Sequence, residues 1–131
     1  MSNRFPTVVI LITAAAFVGF ATWLTVMPNA LLEGFGITER TPQMATEIRA
    51  FYGGIEFGIG AAMFLLWRRG DMFAALLIGG LPLAGSATGR CVGMMADGYF
   101  GLHAGFAVLE AIAAVLCFTG CAVVSRGSVD G

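Results

Sequence analysis

The sequence predicts an all-α, four-transmembrane-helix bundle with both termini on the cytoplasmic side, and three observations carry that prediction. Of the 131 residues 58% are hydrophobic and only 11% charged, where soluble domains are about 25% charged, and the mean hydropathy is +0.87. Residues 7–27 and 72–89 contain no acidic, basic or histidine side chain, and 99–125 contains only His103 and Glu110. The arginines, finally, gather at the ends of these apolar runs. A helix needs roughly 20 apolar residues, at about 1.5 Å rise each, to cross the hydrocarbon. Four spans meet that length, at about 7–27, 44–67, 72–93 and 99–125, and they leave little chain outside the bilayer. Residues 1–131 therefore read as a single integral membrane domain.

The first span follows Arg4. Its uncharged run is longer than the core of a usual cleavable signal, and no small-x-small site follows it, so it reads as a retained helix. The connection "PNALLEGFGITERTPQ" has room for an interfacial turn of helix around residues 31–35. The second span holds "RAFYGGIEFGIG", residues 49–60, and closes at "RRGD", a tight hairpin with Gly70 as stop signal and Asp71 as cap of the next helix. In the third span Pro82 lacks an N–H and frees the carbonyl of Ile78. The third connection, "GRCVGMMADGYF", contains the turn-forming pair Asp97-Gly98. Arg4, Arg68, Arg69 and Arg126 fall at one end of the bundle, and Arg40, with Arg49 and Arg90 near span ends, falls at the other. The excess of arginine places the termini inside.

Composition also excludes whole classes of function. A net charge of −1 gives no basic patch, so nucleic acid is not an expected partner. All seven basic residues are arginine, which removes Schiff-base chemistry. Cys91, Cys117 and Cys121 form no CxxC and are joined by a single histidine, so they read as packing residues, with no metal and no cofactor expected.

The expensive residues lie inside the spans. Arg49 with Glu56, Arg90 with Asp97, and His103 with Glu110 are each seven apart. Seven residues is nearly two α-helical turns, so each pair should share a face about 10 Å apart along the axis, aligned but out of bonding range. Their partners are expected on other helices. Glu56 and Glu110 fall near mid-bilayer, with Arg49, Arg90 and His103 above them in the outer half and Asp97 in the loop. A charge at mid-bilayer costs at least about 2.5 kcal/mol, so it is normally paired, protonated or bathed in water, and it is a candidate functional group by default. Three stripes are expected to turn inward: Tyr52, Gly53, Gly60, Met63 and Trp67 with Glu56; Phe106, Ala107, Ala114, Cys117 and Cys121 with Glu110; and Gly79, Pro82, Leu83, Ser86 and Gly93 with Arg90. Among the 19 glycines, the four-apart pairs Gly54/Gly58, Gly85/Gly89, Gly89/Gly93 and Gly101/Gly105 are expected to bring helices close.

The segment "EIRAFYGGIEFGIG", followed by Gly89-Arg90, Asp97-Gly98, His103 and Glu110, resembles a family of small four-helix bacterial membrane proteins known only as a domain of unknown function, similar in organisation to the DoxX-like group. The resemblance runs from about Pro28 to Cys121, and its most specific part is the arginine-tyrosine-glycine-glycine segment. It implies a multi-pass bundle in the bacterial inner membrane, and no reaction.

Three functions remain open at this stage. The first is a binding module with a polar site open to the outer side, formed by Arg49, Tyr52, Glu56, Arg90, Asp97, His103 and Glu110. It would take an anionic or amphipathic small molecule, with proton linkage through the deep carboxyls, and a homo-oligomer would enlarge its small pathway. The second is an integral-membrane enzyme using His103 and a carboxyl for acid–base chemistry on an apolar substrate such as a quinone or isoprenoid. The third is an accessory subunit whose ion pairs only fix helix order.

Overall fold

The computed structural model describes residues 4–99 and 101–129. Every regular element among them is helical: α1 (Arg4–Val26), α2 (Asn29–Gly34), α3 (Pro42–Ile48), a π-helical segment (Arg49–Ile55), α4 (Glu56–Arg68), α5 (Met72–Asp97) and α6 (Gly101–Val129). The runs Arg4–Val26, Pro42–Arg68, Met72–Asp97 and Gly101–Gly127 are each long and apolar enough to cross a membrane. In an apolar 18-residue stretch of each span, no more than 33% is buried inside the protein. The remaining surface carries Ile12, Phe51, Leu65, Val92, Leu109 and Val115, all more than half exposed. Apolar residues facing outward as well as inward suit a lipid solvent. The chain is a multi-pass membrane protein.

Local signals account for most of the helix ends. The Thr41 hydroxyl accepts a hydrogen bond from the Met44 N–H at 3.2 Å, and Pro42 takes the first helical position, where its missing N–H costs nothing. The span thus starts two residues before the predicted 44. Gly70 stops α4 at φ +85°, and the Asp71 carboxylate accepts from the Ala74 N–H at 3.0 Å, as expected of a cap. Asp71→Ala should lower the unfolding free energy by about 1 kcal/mol, read from denaturant titration in mixed micelles. At the other end α5 runs beyond the predicted 93 to Asp97, and only Gly98, at φ +110°, breaks it. Pro82 sits inside this continuous helix.

Two buried clusters occupy opposite ends of the bundle. Ile10, Met63, Leu76 and Cys117 are fully buried at the end where α4 meets α5, and Leu24, Leu31, Leu32 and Ile48 pack where α2 folds back. Close helix contact is made by glycines other than the four-apart pairs. A Cβ on Gly60 would lie 2.9 Å from the Ala14 carbonyl oxygen, one on Gly79 would lie 2.6 Å from Met63 Cε, and one on Gly120 would lie 2.9 Å from Leu76 Cδ1. Gly58, Gly85, Gly89, Gly93, Gly101 and Gly105 meet nothing within 4 Å, and Gly54 approaches only the backbone of its own helical segment. The spacing is right for a packing motif, but those faces point away from the neighbouring helices.

Candidate functional site

Between α1, the α3–π–α4 span, α5 and α6 lies a cleft of about 890 Å³, within the range of roughly 300–1,000 Å³ usual for ligand pockets. Its wall on α1 is wholly apolar apart from Thr13 and runs from Phe5 to Phe20, roughly 22 Å at the helical rise. Its polar groups come from the other three spans: Glu47, Tyr52 and Glu56 from the second, Ser86 and Arg90 from α5, and Glu110 from α6.

Arg90 ties α5 to α6. Its Nε donates to both oxygens of Glu110, at 3.1 and 3.0 Å, and Ser86 Oγ donates to Glu110 Oε1 at 2.9 Å. Arg90 Nη1 lies 3.1 Å from His103 Nδ1. A guanidinium can only donate, so Nδ1 accepts and a neutral His103 carries its proton on Nε2. The guanidinium also lies over the Phe106 ring at 5.0 Å, and the His103 ring stacks on Phe35 at 4.4 Å. At 15% and 16% side-chain exposure, Arg90 and Glu110 are largely withdrawn from solvent, where a charge pair is much less screened than at a surface. His103 and Glu110 share a face of α6 without touching, and Arg90 bridges both.

Arg49 takes a different direction from Glu56. Its Nε donates to the Thr25 carbonyl at 3.0 Å, an acceptor in the last turn of α1 that has no i+4 partner of its own. The expectation of a shared face assumed 3.6 residues per turn throughout. Residues 49–55 are instead π-wound, with i→i+5 bonds that take more residues per turn, so seven residues no longer return to the same side. Glu56 faces the main cleft, and Arg49 lines a separate hollow of about 310 Å³ beside Asn29 and Glu33. At Gly53 the π segment presses against the Thr25 hydroxyl, where a Cβ would collide. Any larger residue at 53 would force the Thr25 side chain to move.

Residues 6–121 match the family described as Domain of unknown function (DUF4345). The chain belongs to this family. No curated protein and no solved structure matches it. All seven residues singled out from the sequence lie within the matched residues 6–121.

In this DUF4345 protein Tyr52, Glu56, Arg90 and Glu110 line one cleft, and His103 joins them through Arg90 without lining it. Arg49 sits apart, and Asp97 is exposed at the end of α5 with no hydrogen bond or ion pair among the described residues. Asp97 stands off because α5 continues straight through 90–97, so Arg90 pairs across to α6 and Asp97 runs on into the turn. Sequence reasoning missed Glu47, which lines the cleft two residues before Arg49, and the ring partner Phe35. Glu47 is acidic within a predicted span, which was a usable signal. Phe35 lies on the loop after α2, and nothing in its spacing points to α6. Among the described residues no group of three or more His, Cys, Asp or Glu side chains could hold a metal ion. Cys117 is buried with its sulfur 3.9 Å from the Thr13 hydroxyl.

Proposed function

We propose that this DUF4345 protein is a binding module of the bacterial inner membrane that holds an amphipathic small molecule in the cleft between its four spans, within a single membrane domain over 1–131. The observation that carries the reading is the cleft itself, with a long apolar wall on α1 and its polar groups supplied by the other three spans. An apolar body with one polar end matches that distribution. We place the termini in the cytoplasm. Arg49 and Arg90 are both engaged by other helices, so among the remaining arginines, at or near the span ends, only Arg40 opposes Arg4, Arg68, Arg69 and Arg126. The polar end of the cleft then belongs to the outer half. Acid–base catalysis by His103 is disfavoured because its ring does not line the cleft. The mutual pairing of Arg90, Glu110, Ser86 and His103 supports a structural role for that group beside the binding role of the cleft.

The test is photolabelling in zwitterionic vesicles with a dodecyl amphiphile that carries a diazirine on the chain and an uncharged hydroxyl head. Labelling should be saturable and concentrated on residues 8–20 of α1. Ala113→Phe, which adds a ring inside the cleft, should reduce it at least about tenfold. Ala111→Phe, exposed on the same helix, should leave it unchanged. Non-saturable labelling spread over Val108, Leu109 and Ile112 would show ordinary lipid contact and defeat the reading.

A further inference from the structure

We propose that the head group selected by the cleft is a cation, a primary amine on an apolar chain, rather than the anion that the arginine content suggests; the proposal rests on the binding reading above. The charged groups facing the cleft are Glu47 from α3, Glu56 from α4, Arg90 from α5 and Glu110 from α6, and α1 contributes none. Arg90 is already committed. Its Nε spans both oxygens of Glu110, its Nη1 engages His103, and its flat face covers Phe106. An incoming anion would have to compete with Glu110 for that guanidinium.

Glu47 and Glu56, by contrast, make no hydrogen bond or ion pair among the described residues, although both line the cleft, Glu47 at its exposed edge and Glu56 half-buried. Arg90 and Glu110 face the same cleft as Glu56, and their two charges are paired with each other at 3.0 Å. The cleft therefore presents two carboxyl groups without a counter-charge against one arginine that has its own. A carboxylate in an apolar surround favours a cation, and hydrogen bonds between ionised partners are roughly twice as strong as neutral ones. An ammonium brings three donors and a positive charge, a hydroxyl brings one donor, and an anion brings no donor and the same sign of charge as the two carboxylates. The apolar wall from Phe5 to Phe20 receives the chain.

The experiment is competition against the hydroxyl-headed photolabel by dodecylamine, dodecanol and dodecanesulfonate, each compared at equal mole fraction in zwitterionic vesicles at neutral pH. Dodecylamine should displace the label at about tenfold or more below the mole fraction needed for the sulfonate, with the alcohol between them. Glu56→Gln should shrink the amine preference over the sulfonate by several fold. If the sulfonate competes as well as the amine in the wild-type protein, the cation proposal is overturned while the binding reading stands. If saturable labelling is absent, the binding reading itself fails. The wild-type ranking decides the matter even where Glu56→Gln does not fold.

Discussion

Arg90→Ala will lower the unfolding free energy by roughly 3–5 kcal/mol, the usual cost of stripping one partner from a buried ion pair. The physical reason is the carboxylate left behind. Glu110 would keep only the Ser86 hydroxyl, at 2.9 Å, in a position 16% exposed and deep in a span. His103 would lose the Nη1 contact, and Phe106 its cation. Removing both charges at once is a different matter. Arg90→Met with Glu110→Leu replaces a paired, desolvated couple by packing side chains and should recover most of the loss. The single and double variants are compared by denaturant titration in mixed micelles, with Glu110→Gln as a milder intermediate because it retains hydrogen-bonding capacity. A single-variant cost below about 1 kcal/mol would mean that water in the cleft supports Glu110 unaided, and that the pair does not hold α5 to α6.

The same pair shows how much of the site could be read from the chain. In α6, a regular α-helix, the 3.6-residue period correctly puts His103, Ala107, Glu110, Ala114, Cys117 and Cys121 on one side. Ala107, Ala114, Cys117 and Cys121 are all buried there. In the second span the same arithmetic fails at Arg49, because the π winding of 49–55 rotates everything before Glu56. Regular periodicity is local information, and it survives wherever the backbone stays regular. A π segment is stabilised by what packs against it, here Thr25 against Gly53 and the Thr25 carbonyl against Arg49, and those contacts are 24 or more residues away in sequence. The glycines teach the same lesson. Gly85, Gly89 and Gly93 have motif spacing and open surroundings, while Gly60 and Gly120 have no such spacing and close contacts. A small residue permits a close approach, but the partner helix decides whether one occurs.

Gly60 gives the sharpest test of that distinction. A side chain at this position would meet the Ala14 carbonyl oxygen at 2.9 Å, Val18 Cγ2 at 2.8 Å and Phe17 Cβ at 3.1 Å. Val18 Cγ2 belongs to a partly exposed side chain and can adjust, while Phe17 Cβ moves only with the α1 backbone. The Ala14 carbonyl cannot adjust either, because it belongs to the backbone of α1, so a substituent there must push α1 away from α4. Gly60→Val adds three carbons to this contact and should destabilise by about 3 kcal/mol, at the upper end of what overpacking costs. Gly89→Val is the control: nothing lies within 4 Å of its Cβ, so it should cost no more than about 1 kcal/mol, with any loss of interhelical packing excluded. The displacement also reaches the cleft. Phe17, Ala16 and Thr13 on α1 and Ile59 on α4 line it on either side of this contact. Gly60→Val should therefore weaken saturable photolabelling on residues 8–20 even at temperatures where the variant remains folded, and Gly89→Val should not. If Gly60→Val matches Gly89→Val in stability and in labelling, α1 and α4 are not held at this glycine, and the wall of the cleft is set elsewhere.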